Sequence, residues 1–181
     1  MRQNKVLITV YNAMFIVITL ILGFFGRLSI FPVFPFLKLD FSDIPVFLVT
    51  IISGIPSGIF VLLISSAFRS LMFSSSGWMG FIIRSTSLIM VIFIGIFYKA
   101  KIKKVYKILG IFLGIFLCLI IKLMLNYFVW LNFFSISPEL VNAFMVSIII
   151  PYNFLKLIIT TAAAFLMANT VKKIMKSFEN S

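Results

Sequence analysis

Two pairs of polar residues interrupt long apolar stretches at a spacing that places side chains on one face of a helix. Lys122 and Asn126 are four residues apart, and Asn153 and Lys156 are three apart. An asparagine amide donates and accepts hydrogen bonds, whereas a lysine ammonium only donates. Inserting a lysine into a membrane helix costs roughly 2.5–3.5 kcal/mol, so Lys122 is expected to face polar groups. These residues predict a binding pocket; for Lys122 and Asn126 the alternative is a structural hydrogen bond between helices.

Two arginines, Arg69 and Arg84, complete the set of candidate binding residues. With Lys156, they fall near one predicted membrane surface, on the side opposite to the lysine-rich segments. All three cations can line the same pocket as the asparagines. Alternatively, their long apolar stems can carry the charges out to the lipid headgroups.

The other chemistry-bearing residues are too few for catalysis or metal binding. The chain has no His, one Cys and four carboxylates: Asp40, Asp43, Glu139 and Glu179. A metal site, a nucleophilic triad or a disulfide framework cannot be assembled from this set. The sequence therefore predicts neither an enzyme nor a proton-coupled carrier, and it predicts no catalytic residue, metal or cofactor.

The elements that position the polar residues are expected to be membrane helices. Of 181 residues, 62% are apolar and only 11% are charged, and the mean hydropathy is +1.22. Because a spanning helix takes about 20 apolar residues, the apolar runs predict one all-α domain, 1–181, with six transmembrane helices. The predicted spans are 6–25, a short one from 42–45 to 53–58, 56–73, 78–98, 108–133 and 151–174, with a shorter apolar helix ending at 150. The second and third spans could instead form one kinked span.

The charge pattern predicts the orientation of this bundle. Sixteen Lys and Arg against four acidic residues give a formal net charge of +12. The basic residues cluster near the N-terminus, in the run 99–107 and at 172–176. In a membrane protein, such clusters mark cytoplasmic segments and not a nucleic-acid site. Six crossings place both termini and the run 99–107 on the cytoplasmic side of the membrane, with lipid around the bundle.

A proline-containing segment, 31–43, follows the first span on the opposite side of the membrane. It is too long for a tight turn, and Pro32 and Pro35 stiffen it. We expect it to form a lid or wall over the pocket, and its aspartates to cap the second span or pair with a basic pocket residue. The lid candidates are Phe36, Lys38, Asp40 and Asp43.

Three blocks of sequence resemble those of one transporter family. They are FPVFPFLKLDFSDIP at 31–45, LNYF at 125–128 in the fifth span and IPYNFLK at 150–156 at the start of the sixth. With the chain length and the six-span plan, they resemble the substrate-binding S components of energy-coupling factor (ECF) vitamin transporters, particularly the riboflavin type. The resemblance covers essentially the whole chain. It implies ligand contacts from Asn126, Asn153 and Lys156 in an outward-facing pocket.

The resemblance also implies a partner, the ECF module, which consists of a transmembrane coupling protein and two ATPases. Two features depart from the riboflavin pattern. Ser65 and Ser66 stand where a Lys-Asn pair is usual, and the paired alanines used for docking are reduced to Ala13 with Val17. Riboflavin is the first choice of substrate, with pantothenate, pyridoxine or hydroxymethylpyrimidine as alternatives. A structural membrane subunit that binds no ligand is the alternative of another class.

Overall fold

The computed structural model of the protein describes residues 5–29, 38–73, 77–132 and 137–179. Helices make up nearly all of this part of the chain, which confirms the predicted all-α membrane bundle. The elements are α1 (Lys5–Phe25), β1 (Arg27–Ser29), β2 (Lys38–Asp40), α2 (Asp43–Ser53), α3 (Ile55–Phe73), α4 (Gly77–Ser85), α5 (Ser87–Lys99), α6 (Lys104–Asn132), α7 (Pro138–Phe144), a π-helical turn (Met145–Ile149) and α8 (Ile150–Glu179).

The helices make six passes, one of which is short. Within the described ranges, five stretches are long and apolar enough to cross a bilayer: α1, α3, α4 with α5, α6, and α7 through α8. α2 has 11 residues and is therefore about 16 Å long. This is shorter than the hydrocarbon core of a bilayer, which is roughly 30 Å thick. α2 packs against α1, α3, α5 and α8, and eight of its residues are buried. A helix that is apolar on all sides is stable in such an interior position.

α2 and α3 form a hairpin, so the alternative of one kinked span is wrong. Gly54 alone separates them and has a φ of 107°, a conformation that glycine adopts without strain. Arg69, near the end of α3, donates a hydrogen bond of 2.9 Å to Ser42 Oγ, just before α2. The start of α2 and the end of α3 therefore lie at the same end of the bundle.

The predicted fourth span is two helices, α4 and α5, separated at Thr86. The Ser85 and Thr86 hydroxyls donate to the carbonyls of Phe81 and Ile83 at 2.8 and 2.7 Å. Side chains that bond to the preceding turn in this way tend to bend a helix. The break comes immediately after the turn that carries Arg84.

The predicted shorter helix and sixth span are one continuous stretch. α7 runs into α8 through the π-helical turn Met145–Ile149. Pro151 lies at the start of α8, has no N–H, and its ring conflicts with regular α-helical packing against the preceding turn. A π-helical turn re-aligns the backbone there and allows the helix to continue. This turn immediately precedes Asn153.

Two short antiparallel strands, which the sequence analysis did not predict, join α1 to α2. Arg27 lies opposite Asp40, and Ser29 lies opposite Lys38. The strands bring together the two ends of segment 30–37. That segment, with Phe36 and both prolines, lies outside the described residues, so the lid remains a prediction.

The basic segments lie together at one end of the bundle, here called the basic end. The Tyr11 hydroxyl near the start of α1 donates to the Met175 carbonyl at 3.3 Å. Lys172 Nζ donates to the Tyr98 hydroxyl at 2.9 Å, so the ends of α5 and α8 are also neighbours. This grouping agrees with the charge pattern, whereas the orientation of the basic end toward the cytoplasm stays a prediction.

Gly110 and Gly114 form a GxxxG pattern that allows α6 to approach α5 closely. A side chain at Gly110 would collide with the ring of Phe97, and one at Gly114 would lie 2.7 Å from Phe93 Cβ. The two phenylalanine rings stack on each other, with centroids 5.9 Å apart and planes at 18°. This packing fixes α6, which carries Lys122 and Asn126.

Candidate substrate-binding site

The junction of β2 and α2, residues 40–43, presents three polar side chains at the end of the bundle opposite to the basic end, called the cluster end. The Ser42 N–H donates to Asp40 Oδ1 at 2.7 Å, and Asp43 follows as the first residue of α2. Ser42 makes no side-chain capping hydrogen bond to α2. The Ser42 hydroxyl instead accepts hydrogen bonds from Arg69 and Arg84.

Both candidate arginines point inward to these groups. Arg69 Nη1 lies 2.8 Å from Asp40 Oδ2, and Arg84 Nη1 donates to Ser42 Oγ at 2.7 Å. Arg84 also lies 3.8 Å from a carboxylate oxygen of Asp40 and 3.8 Å from one of Asp43. Extension of Arg69 and Arg84 to lipid headgroups is thus wrong, because their charges are used inside the protein.

Lys156 joins this set from α8. Its Nζ lies 3.6 Å from Asp43 Oδ2, and only 13% of its side chain is exposed. The headgroup alternative is therefore wrong for Lys156 as well. Five elements and the turn before α2 contribute six side chains to what we call the polar cluster: Asp40, Ser42, Asp43, Arg69, Arg84 and Lys156.

Lys122 on α6 adds a cation beside the polar cluster. It is 5% exposed, and among the described residues no carboxylate lies within 4.0 Å of its ammonium. Asp43 and Lys156 are close enough to act on its charge. Four cations therefore face two carboxylates, which leaves an excess of positive charge in a buried region.

Each of the two asparagines donates one amide N–H to a backbone carbonyl one turn earlier in the same helical stretch. Asn126 donates to the Lys122 carbonyl at 2.8 Å, and Asn153 donates to the Ile149 carbonyl at 2.9 Å. Each keeps an oxygen and a second N–H for other partners. Asn153 is buried and lies one turn before Lys156. Among the described residues, no hydrogen bond joins Asn126 to Asn153 or Lys156.

Several buried polar atoms of the cluster retain hydrogen-bonding capacity. Within the described part of the chain, Asp43 Oδ1, Arg84 Nε and Arg84 Nη2 have no hydrogen-bond partner, although Asp43 Oδ1 and Arg84 Nη2 lie 3.8 Å apart as an ion pair. Leaving such a group unsatisfied typically costs about 1–3 kcal/mol, so their coincidence at one place favours a polar ligand there. Ser66 Oγ is likewise buried and has no hydrogen-bond partner among the residues that the structure describes, whereas Ser65 Oγ donates to the Leu62 carbonyl at 3.2 Å.

Sequence reasoning missed two residues of this region. Ser42 was not among the predicted binding residues, although its position between Asp40 and Asp43 makes it a natural hydrogen-bond acceptor for arginines that pair with these acids. Tyr152 lies close enough to Lys156, Asp40 and Asp43 to interact with their charges. Its place in the motif at 150–156 was a signal, but a tyrosine near a membrane surface is also common as an interfacial anchor.

Asp40 should give the fold a measurable sensitivity to acid. Burial alone would raise the pKa of Asp40, but the charges of Lys156 and Arg69 and the hydrogen bonds from Ser42 outweigh it and hold the pKa below its ordinary value of 3.8. The stabilisation is therefore complete above about pH 4 and is lost as the pH falls through the folded-state pKa. We expect the melting temperature to decline below about pH 4.

The decline should be smaller in Asp40→Asn, which starts from a lower stability at neutral pH. Glu139→Gln serves as the matched control because Glu139 is exposed, and it should keep the wild-type profile. Thermal unfolding of the purified protein between pH 3 and 7 measures all three. If the pH profiles of Asp40→Asn and the wild type are superimposable, the ion pair between Asp40 and Arg69 does not contribute to the acid sensitivity of the fold.

The donor set of the cluster does not suggest a metal. Among the described residues, no group of three His, Cys, Asp or Glu side chains comes together. The two aspartates are paired with arginine and lysine, which makes them poor cation ligands. The cluster can bind a small molecule through hydrogen bonds and charge.

Comparison with known proteins identifies the family. The model of the family described as "ECF transporter, substrate-specific component" matches residues 7–168. The chain belongs to this family. Among solved structures, this S component is similar to a chain described as "Structure and mechanism of the S component of a bacterial ECF transporter". The two are 27% identical with a TM-score of 0.75, over 96% of this chain and 99% of the other. The comparison with curated proteins gives no match.

Family membership fixes the general role. The S component is the substrate-specific subunit of an ECF transporter, a multi-pass membrane protein that works with an ECF module. Its role is therefore transport.

Proposed function

We propose that this S component binds riboflavin at the cluster end through Asn126, Asn153 and Lys156. The observation that carries the proposal is the position of Asn153 and Lys156, which lie one turn apart on α8 next to the buried Asp43. The fused ring of riboflavin presents carbonyl and N–H groups along one edge. Asparagine amides match both kinds of group, and lysine matches the carbonyls. A polar edge against apolar walls is the usual composition of a small-molecule site.

An anionic vitamin such as pantothenate is the second candidate, and the charge balance of the site favours it. In the described part of the chain, Lys122 is buried without a carboxylate partner, and Arg84 Nε and Nη2 have no hydrogen-bond partner, with Nη2 3.8 Å from Asp43 Oδ1. A carboxylate group of a ligand would balance this charge. Pyridoxine and hydroxymethylpyrimidine fit the asparagines but leave the excess charge without a role.

Titration calorimetry of the purified full chain separates these candidates. If the substrate is riboflavin, it should bind and pantothenate should not, and Lys122→Gln should weaken riboflavin less than Asn153→Ala does. If the substrate is anionic, pantothenate should bind and Lys122→Gln should weaken it most. Binding of neither compound, together with an absence of any co-purified small molecule, would favour a structural subunit.

We further propose that uptake requires the two ATPases and the transmembrane coupling protein of an ECF module in a bacterial cell membrane. The sequence contains no Gly-Lys-Ser/Thr phosphate-binding loop, so the energy must come from a partner. α1 leaves Ala13 and Val17 exposed, and this face is available for the coupling protein. The basic end would face the cytoplasm, in agreement with its positive charge.

Liposomes that contain only this chain should bind the substrate without concentrating it. Radiolabelled substrate inside such liposomes is expected to reach the outside concentration at most, because binding supplies no energy for transport against a gradient. Liposomes without protein and liposomes that also contain an ECF module and ATP are the controls. Accumulation above the outside concentration by this chain alone would contradict the proposed dependence on ATPases.

A further inference from the structure

A groove of about 590 Å³ lies where α5 and the first half of α6 meet α8. This volume is within the range of small-molecule sites, roughly 300–1,000 Å³. Its walls are mainly apolar and include Phe112, Ile115 and Phe165. Lys104 and Lys107, in the first turn of α6, line one end, about 12–16 Å along the helix from Ile115.

The groove is separate from the polar cluster. None of its lining residues belongs to that cluster, and Lys104 and Lys107 belong to the basic end, at the far end of α6 from Asn126. A ligand in the groove would not contact Asn153 or Lys156, neither of which lines it. Occupancy of the groove is thus independent of the proposed substrate.

The end of the groove near Tyr98 is strongly positive. Lys107 Nζ donates to the Tyr98 carbonyl at 3.1 Å and keeps two further N–H donors. Lys172 Nζ lies 2.9 Å from the Tyr98 hydroxyl oxygen and 4.5 Å from the centre of the ring. No Asp or Glu occurs in the described lining. Three ammonium groups therefore surround this end without a carboxylate in the groove.

The apolar part of the groove is open to the side. Ile108 and Phe112 are 45% and 53% exposed, and Ala162 on the facing helix α8 is also exposed. In a membrane helix these positions face lipid chains. The groove thus combines an apolar channel that a hydrocarbon chain can enter with a cationic end at the level of one membrane surface.

We propose that this groove binds one anionic glycerophospholipid of the leaflet at the basic end. One acyl chain lies along Phe112 and Ile115, and the phosphate accepts hydrogen bonds from Lys104 and Lys107. A zwitterionic lipid has the same chains and phosphate, but its headgroup cation is repelled by the lysines. Charge complementarity therefore selects an anionic lipid over a zwitterionic one of equal chain length.

Native mass spectrometry tests the proposed preference for an anionic lipid. The purified full chain is titrated with dioleoyl phosphatidylglycerol or with dioleoyl phosphatidylcholine. Phosphatidylglycerol should bind more tightly, and Lys104→Gln/Lys107→Gln should weaken it about 10- to 30-fold, since each lysine near an anionic lipid is worth about a factor of five. Lys101→Gln/Lys103→Gln is the matched control. Both of these lysines are exposed, and neither lines the groove.

A second pair of variants tests the apolar part. Ala162→Phe should fill the groove and abolish the bound lipid, whereas Leu166→Phe, at an exposed position outside the lining, should retain it. If Ala162→Phe fails to fold, the two pairs of lysine variants alone test whether the lipid binds in the groove. Equal binding of the two lipids, equal weakening by the two lysine pairs, or displacement of the lipid by glycerol 3-phosphate would each overturn the proposal.

Discussion

Replacing Asp43 by alanine is expected to lower the free energy of unfolding by about 3–5 kcal/mol, the largest loss of any single substitution in the polar cluster. Asp43 is 2% exposed and lies within 4 Å of both Arg84 and Lys156. Removing it leaves two buried cations without this carboxylate, and an uncompensated buried charge is the costly result of breaking such a pair. A loss of this size corresponds to a decrease of roughly 10 °C in melting temperature.

A thermal-unfolding series on the detergent-purified protein measures this effect. Glu139→Ala is the control, because it removes an exposed carboxylate from the same end of the bundle. Adding Lys156→Gln to Asp43→Ala should recover part of the loss, since removing both partners leaves fewer unpaired charges. Equal melting temperatures for Asp43→Ala and Glu139→Ala would show that the cluster does not hold the helices together.

Asn153→Ala is expected to weaken substrate binding by about 5- to 150-fold. The side chain is buried, and one amide N–H is already used by the Ile149 carbonyl. Its remaining oxygen and N–H are proposed to contact the ligand, and removing one partner in a desolvated site typically costs about 1–3 kcal/mol. Asn126→Ala and Lys156→Ala should weaken binding within the same range.

Titration calorimetry on folded protein measures these changes. Asn142→Ala, an exposed asparagine on α7, should leave the dissociation constant at the wild-type value. If Asn153→Ala and Lys156→Ala both retain the wild-type dissociation constant, the site assignment is wrong and their role is structural. If Lys122→Ala or Arg84→Ala weakens binding more than either does, the substrate is anionic and pantothenate replaces riboflavin.

The helical plan could be predicted because it depends on local sequence. Apolar runs of sufficient length and basic clusters give the number of passes and group the basic segments at one end. Breaks within helices were harder to predict. Thr86 separates α4 from α5, yet Thr160 bonds to the preceding turn in the same way inside an uninterrupted α8. The residue type alone therefore does not decide whether a helix ends.

The polar cluster could be predicted only in part, because its geometry depends on tertiary packing. The sequence indicated that Asp40 and Asp43 could pair with basic residues, but not that Arg69 would choose Asp40 or that Arg84 would reach both acids. A long side chain near a membrane surface can turn outward to headgroups or inward to an acid with little difference in local preference. The short strands β1 and β2, which place Asp40 there, have no comparable sequence signal.

The central claim, that this S component carries a vitamin in a site formed by Asn153 and Lys156, is tested most directly by mass spectrometry of the small molecules that co-purify with the protein. The wild type should release one vitamin in near-stoichiometric amount, with riboflavin expected. Folded Asn153→Ala/Lys156→Ala protein, purified in parallel, should release little or none. A vitamin retained equally by both proteins, or no small molecule from a folded wild type, would contradict it.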